Sequence, residues 1–132
     1  MVDMSMEKRL SERVIGCAQN VSHELGAGFL EAVYENALVL ELEQEGIAFR
    51  RQHQLDIYYK NNKVGQYQAD LVIEDKLIVE LKAVSSFNAS HKAQVINYLR
   101  ASGLNVGLLF NFGMSRLGIQ RVVWNYNETE GI

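Results

Sequence analysis

Apolar residues recur at helical spacing near the start of the chain. Leu10, Val14, Cys17, Ala18, Val21 and Leu25 share one side of a helix from about Glu7 to Leu25. Gly26-Ala27-Gly28 interrupts the pattern. It resumes from about Phe29 to Glu45, with Leu30, Val33, Tyr34, Ala37 and Leu38 on one side and Gly46 as the stop. The apolar repeat then shortens from helical to alternating. Leu55, Ile57 and Tyr59 alternate with polar neighbours, Asn61-Asn62 forms a turn, and Val64 to Ile73 reads as the return strand. Glu74-Asp75-Lys76 turns the chain into a third strand, Leu77 to Lys82. Asn88 or Ser90 can cap a third helix that reaches about Ala101 and ends at Gly103. Leu104 to Phe112 and Ile119 to Trp124 complete the strands. This order predicts an α/β architecture with a mixed sheet flanked by helices. The third helix is long enough to join two parallel strands as a crossover. No repeat, linker, low-complexity segment or proline divides the chain, so one domain is expected over residues 1–132, with its core at about 7–126.

Composition adds exclusions. A chain of 132 residues can bury roughly two-thirds of its unfolded surface. Its 48% hydrophobic and 22% charged content is that of a globular protein. No apolar run is long enough for a membrane span, and the N-terminal MVDMSMEKRLSER lacks the apolar segment of a signal peptide. The single Cys17 excludes an internal disulfide and suits a reducing cytoplasm; its helical position points to core packing. The net charge of −3 hides an asymmetry. Residues 1–80 carry 14 acids and 8 Lys or Arg, whereas no acid occurs between Leu81 and Asn127. That stretch holds Lys82, Lys92, Arg100, Arg116 and Arg121, and could present a basic face to a polyanion.

The candidate chemistry sits in LVIEDKLIVELK. Strand alternation puts Leu77, Val79 and Leu81 on one face and Ile78, Glu80 and Lys82 on the other. If Glu74-Asp75-Lys76 is a three-residue loop, Ile73 pairs with Leu77 and Asp70 comes opposite Glu80. Two carboxylates so placed repel unless something offsets them, and a divalent cation would. Lys82 could then hold or activate a water. With a two-residue loop Asp70 would face away, leaving a surface hairpin with an ordinary Glu–Lys pair. Glu31 falls near the edge of the apolar side of the second helix, where a carboxylate needs a partner. Gln94 and Tyr98 share a face of the third helix and offer an amide and a phenol. His91 and Lys92 stand at that helix's N-terminus, where the dipole favours an anion. His23 and His53 carry no clear role.

These positions resemble a known signature. Asp70…Glu80-Leu81-Lys82 is similar to the motif of the PD-(D/E)XK nuclease superfamily, with Ala69 where the prototype has proline. Gln94-Val95-Ile96-Asn97-Tyr98 looks like the QxxxY motif of its RecB-like branch, and Gly28-Phe29-Leu30-Glu31-Ala32-Val33-Tyr34 fits the motif that names the GxxExxY family. The likeness runs from about Ile15 to Trp124 and includes YLRASGLNVGLLFNFG. It implies a restriction-endonuclease-like core in which Asp70, Glu80 and the Leu81 carbonyl bind Mg²⁺, with Mn²⁺ as a substitute. Lys82 would position or deprotonate the attacking water, Glu31 would support metal or lysine, and Gln94 and Tyr98 would brace the site. His91, Lys92 and Arg100 are the nucleic-acid-binding candidates.

The resulting expectation is a cytoplasmic, Mg²⁺-dependent nuclease that hydrolyses phosphodiester bonds in DNA. A non-catalytic nucleic-acid- or protein-binding domain that keeps the nuclease fold is the alternative. A homodimer would enlarge the surface available to a duplex, although no residue pattern specifies one. A phosphorylated metabolite as substrate finds no support, because no Gly-rich phosphate loop is present.

Overall fold

A computed structural model describes residues 4–126; the remaining ends of the domain expected over 1–132 lie outside the described residues. The elements follow as α1 (Met4–Leu25), α2 (Glu31–Gln44), β1 (Phe49–Tyr59), β2 (Asn62–Ile73), β3 (Leu77–Lys82), α3 (Ala89–Ser102), β4 (Val106–Asn111) and β5 (Gly118–Val123). The strands form one sheet in chain order, β1-β2-β3-β4-β5. Among the described residues only β3 and β4, joined through α3, run parallel; the other neighbours are antiparallel. The mixed five-stranded sheet flanked by helices is the expected α/β architecture. Among the described residues, no helix is long and apolar enough to cross a membrane.

Two apolar layers enclose the sheet. On one face, Val14, Cys17 and Val21 of α1 and Tyr34, Leu38 and Leu42 of α2 pack with Leu77, Val79, Leu81, Leu108 and Phe110. On the other, Val95, Tyr98 and Leu99 of α3 pack with Leu55, Val72, Ile78 and Leu109. The alternation read for LIVELK therefore holds: its odd-numbered residues meet α1 and α2, and Ile78 meets α3. Cys17 is buried, and burial raises its thiol pKa, as suits a packing residue. Gly107 explains how closely α3 can approach β4. A Cβ there would stand 2.6 Å from Val95 Cγ1.

Strand β1 begins at Phe49, six residues before the expected alternation at Leu55. Its first half, Phe49-Arg50-Arg51-Gln52-His53-Gln54, is mostly polar because β1 is an edge strand with one open side. The face it presents also changes midway. Phe49 packs with the α1–α2 layer, and Arg51 reaches Glu35 of α2. Leu55 packs with the α3 layer. In β2, Leu71 and Ile73 belong to the first layer and Ala69 to the second. Residues an even number apart in an unbroken strand share a face, so both strands slip phase by one residue at the same place. The residues at the slip are Gln52, held at φ 48, and Asp70, and the pairs Arg51↔Leu71 and His53↔Ala69 flank them.

The loop before α2 is fastened by Tyr34. Its hydroxyl donates to the Gly26 carbonyl at 2.7 Å and accepts from the Phe29 N–H at 3.1 Å, while its ring stacks on Phe112 at 4.6 Å. Gly28 at φ 117 takes a backbone conformation that side chains resist. We expect Tyr34→Phe to cost about 1–2 kcal/mol, since both backbone partners lose a bond; urea denaturation measures it, and an unchanged midpoint would show that water replaces the hydroxyl.

Candidate active site

The turn Glu74-Asp75-Lys76 is the three-residue loop on which the site depends. Ile73 pairs with Leu77, Val72 with Ile78 and Leu71 with Val79. The regular ladder stops there. At the next step the two carboxylates take over the pairing: the Asp70 N–H donates to Glu80 Oε1 at 3.0 Å, and the Leu81 N–H donates to Asp70 Oδ2 at 2.8 Å. Asp70 and Glu80 are thus locked side by side by backbone donors, at the point where β1 and β2 slip phase. Fixed donors of this kind hold a carboxylate in one rotamer.

Glu80 is 4% exposed. Burial first and the Asp70 carboxylate second raise its pKa to about 8, against the pull of Lys82. Lys82 Nζ stands 4.0 Å from Glu80 Oε2. Tyr98 of α3, nearly buried, faces the same cluster. Its phenol is held well above its ordinary pKa, first by burial and then by the Glu80 and Asp70 charges, with the Gln94 side chain opposing the shift. Tyr98 is therefore a persistent hydroxyl donor, and Gln94, one turn earlier and half-buried, lies within its reach.

A relay that the sequence did not suggest enters from β1 and α2. Gln52 Nε2 donates to Glu35 Oε1 at 2.6 Å and makes a long contact of 3.4 Å with Asp70 Oδ1. Arg51 holds the other Glu35 oxygen at 2.8 Å. The buried helical acid is therefore Glu35. Glu31, expected at the edge of the apolar side and in need of a partner, is instead exposed in the first turn of α2, where water solvates it. Its position in the GxxExxY pattern gave it a role to weigh, whereas Glu35 had no motif and only its buried helical position could have signalled it.

Asn111 and Gly113 form a second support missed by sequence reasoning. Fully buried Asn111 accepts from the N–H groups of Val84 at 3.0 Å and Gly113 at 2.9 Å, and donates to the Val84 carbonyl at 2.9 Å. The segment that follows Lys82 is pinned to β4 by this one amide. The NFG of the LLFNFG stretch is the signal that carried it.

The remaining candidates lie on α3. His91 Nδ1 accepts from the Asn88 N–H at 3.2 Å as part of the helix cap, which leaves the proton on Nε2. Lys92 is exposed at the same end. Arg100, in the last turn, lies over the Trp124 ring at 5.4 Å.

The donor set suits a hard cation. In β3 the Lys82 carbonyl accepts from Phe112 on the β4 side, so the Leu81 carbonyl faces the opposite edge, where its own N–H meets Asp70. Two carboxylates and one carbonyl converge there. Among the described residues, no group of three or more His, Cys, Asp or Glu side chains is arranged to hold a metal. An ion here would complete its shell with water or substrate oxygens, the usual habit of Mg²⁺.

A family model described as the PD-(D/E)XK nuclease superfamily matches residues 8–122. A solved structure described as "Crystal structure of SSO0001" is 17% identical, with a TM-score of 0.57, over 74% of this chain and 52% of that one. At that identity the likeness shows the fold, and the chain spans about half the length of that protein. No curated protein matches the chain. The family match covers most of the sequence and agrees with the sheet order and flanking helices: the chain belongs to the PD-(D/E)XK nuclease superfamily.

Proposed function

We propose that the chain is a metal-dependent nuclease that hydrolyses phosphodiester bonds in DNA at the Asp70–Glu80–Lys82 cluster. Superfamily membership suggests nuclease-type chemistry. The observation that carries the finer reading is the locked carboxylate pair, with Lys82 Nζ 4.0 Å from Glu80 Oε2. Asp70, Glu80 and the Leu81 carbonyl would hold Mg²⁺ or Mn²⁺. Such an ion, when bound, supplies charge stabilisation at the phosphate and lowers the pKa of a coordinated water.

The chain's own residues set up the rest. Lys82 would orient the attacking water or take its proton. Tyr98, kept protonated, would donate to a phosphate oxygen or to that water, and Gln94 would orient the phenol. Glu35 would act through Gln52 to hold Asp70 in place. Glu31, at the solvent side of α2, would serve as a polar contact to substrate or water. His91, through its Nε2 proton, and Lys92 would meet a neighbouring phosphate at the N-terminus of α3, where the dipole favours it. Arg100 would contact the strand further along the helix. Gly28, Glu31 and Tyr34 favour the GxxExxY branch within the superfamily.

Purified protein is expected to cut DNA with Mg²⁺ or Mn²⁺ and to stop in EDTA. Calorimetry should show metal binding by the wild type that Asp70→Ala weakens strongly. Because the buried Glu80 carboxyl keeps its proton near neutrality, metal binding at pH 7 should release a proton, visible as a buffer-dependent heat, with affinity rising toward pH 8. Indistinguishable titrations of wild type and Asp70→Ala would remove this site. Nucleic-acid binding in EDTA that survives Lys82→Ala, with no cleavage under any metal, would turn the reading to a binding domain.

A further inference from the structure

We propose that the groove between the outer half of the β1–β2 hairpin and α3 is a nucleobase subsite that takes an unpaired base beside the reacting phosphate, which makes single-stranded nucleic acid the preferred substrate class. The proposal rests on the nuclease reading for the identity of the neighbouring centre. It adds the part of the substrate that centre does not touch.

The groove has a volume of about 400 Å³, the size of a small-ligand pocket, and its walls include Tyr58, Tyr67, Asp56, Ile57, Asn97 and Arg100. Tyr58 is 64% exposed and Tyr67 41%. Tyr67, which shares the α3 face of the hairpin with Leu55, is a stacking platform for a base, a contact worth making with any of the bases. Tyr58, an odd number of residues from Leu55, turns its ring to the other face and meets the groove only at the β1 edge. Asn97 offers an amide to the edge of a seated base. The Asp56 charge is already balanced: Gln54 donates to it at 2.8 Å and Lys63 lies 3.2 Å away, and these partners hold its carboxyl below the ordinary range. It therefore does little to repel the strand. Arg100 lies over the Trp124 ring at 5.4 Å, which limits where its guanidinium can go and leaves it at the groove rim for a phosphate.

The link to the centre is continuous. Tyr67 lies 5.6 Å from Tyr98, ring to ring, and Tyr98 is the α3 residue that senses Glu80 and Asp70. A strand passing the carboxylates would thus lay its next base against Tyr67. In a duplex the base faces are covered by their stacked neighbours and cannot reach such a groove without unstacking. The phase slip at Gln52 and Asp70 completes the geometry, because it turns Tyr67 and Leu55 toward α3 while the inner half of the hairpin stays with α2.

The test uses the whole chain in EDTA, so that nothing is cut. A short fluorescein-labelled oligothymidylate is titrated by anisotropy, with its ribose counterpart and a duplex as further arms. Tyr67→Ala should weaken single-strand binding roughly 5- to 100-fold, and Tyr58→Ala, on the opposite face, should bind like wild type. Tyr67→Phe should bind like wild type, and Arg100→Ala should flatten the salt dependence. Either sugar bound in this way supports the subsite. Tyr67→Phe keeps the ring and its place against Tyr98, so that variant and a thermal melt of Tyr67→Ala keep the result interpretable. Unchanged affinity in Tyr67→Ala, failure of the single strand to bind, or a preference for duplex with the same losses would overturn the proposal. Cleavage absent while the Tyr67 effect persists would defeat the nuclease reading and leave the subsite standing.

Discussion

Glu80→Gln should reduce metal-dependent cleavage roughly a thousandfold or more, and should at the same time raise the melting temperature of the metal-free protein at alkaline pH. The loss follows from the donor set. The amide keeps an oxygen for the Asp70 N–H, now accepted by Glu80 Oε1 at 3.0 Å, but removes the charge a divalent ion would require. The gain follows from the cost of the carboxylate. Glu80 titrates near pH 8 in the folded chain and near 4.5 when free. Between those values the folded protein holds a proton that the unfolded protein has released, so stability falls as pH rises through the window and is lowest above pH 8. The amide carries no such dependence and can donate toward Asp70. The variant is expected to gain about 1–3 kcal/mol at pH 9 and little at pH 4. Thermal melts in EDTA at the two pH values decide it. A variant less stable than wild type at pH 9 would show that Glu80 is already relieved by some group other than a metal.

Gly113→Ala should destabilise the fold by about 2–4 kcal/mol and impair the site along with it. A Cβ at Gly113 would stand 2.4 Å from the Val84 carbonyl oxygen, 2.5 Å from the Val84 nitrogen and 2.7 Å from the Ala83 carbonyl carbon. All three are backbone atoms, so no side chain can rotate away. The methyl must push Ala83 and Val84 off β4, against the bonds that Asn111 makes to Val84. Lys82 is the residue immediately before the displaced segment. Guanidinium denaturation gives the stability, and cleavage at a temperature where the variant stays folded gives the second effect. Full activity in a clearly destabilised variant would mean that Lys82 does not depend on this anchor.

Much of this was legible in the residues. The element order, the crossover helix and the faces of LIVELK all followed from apolar spacing, because those segments lie in the sheet interior where burial enforces the period. The residues left two lengths open for the Glu74-Asp75-Lys76 loop, and the observed register has the three-residue one that brings Asp70 beside Glu80. The form of their meeting did not follow. Alternation predicts a ladder pair, whereas the carboxylates themselves accept the N–H groups. The start of β1 was hidden because an edge strand can leave its polar residues in water. The Glu35–Gln52 relay was hidden for a different reason: it needs Gln52 at positive φ and a phase slip in two strands at once, and neither is written in a periodic pattern. The Asn111 anchor is a single buried amide inside an apolar strand, informative only once its partners are known.

The phase slip also divides the β1–β2 hairpin into two parts with separate fates. The inner part is committed to the helices and to the carboxylates, and one residue inserted or deleted there would turn Asp70 away from Glu80. The outer part, from Leu55 to Tyr67, meets the rest of the molecule chiefly through α3 and is otherwise open. Its length and its aromatic residues are thus free to vary without moving the carboxylates. A graft of a different hairpin tip beyond Leu55 and Tyr67 would be a way to change what the chain grips while leaving its inner hairpin as it is.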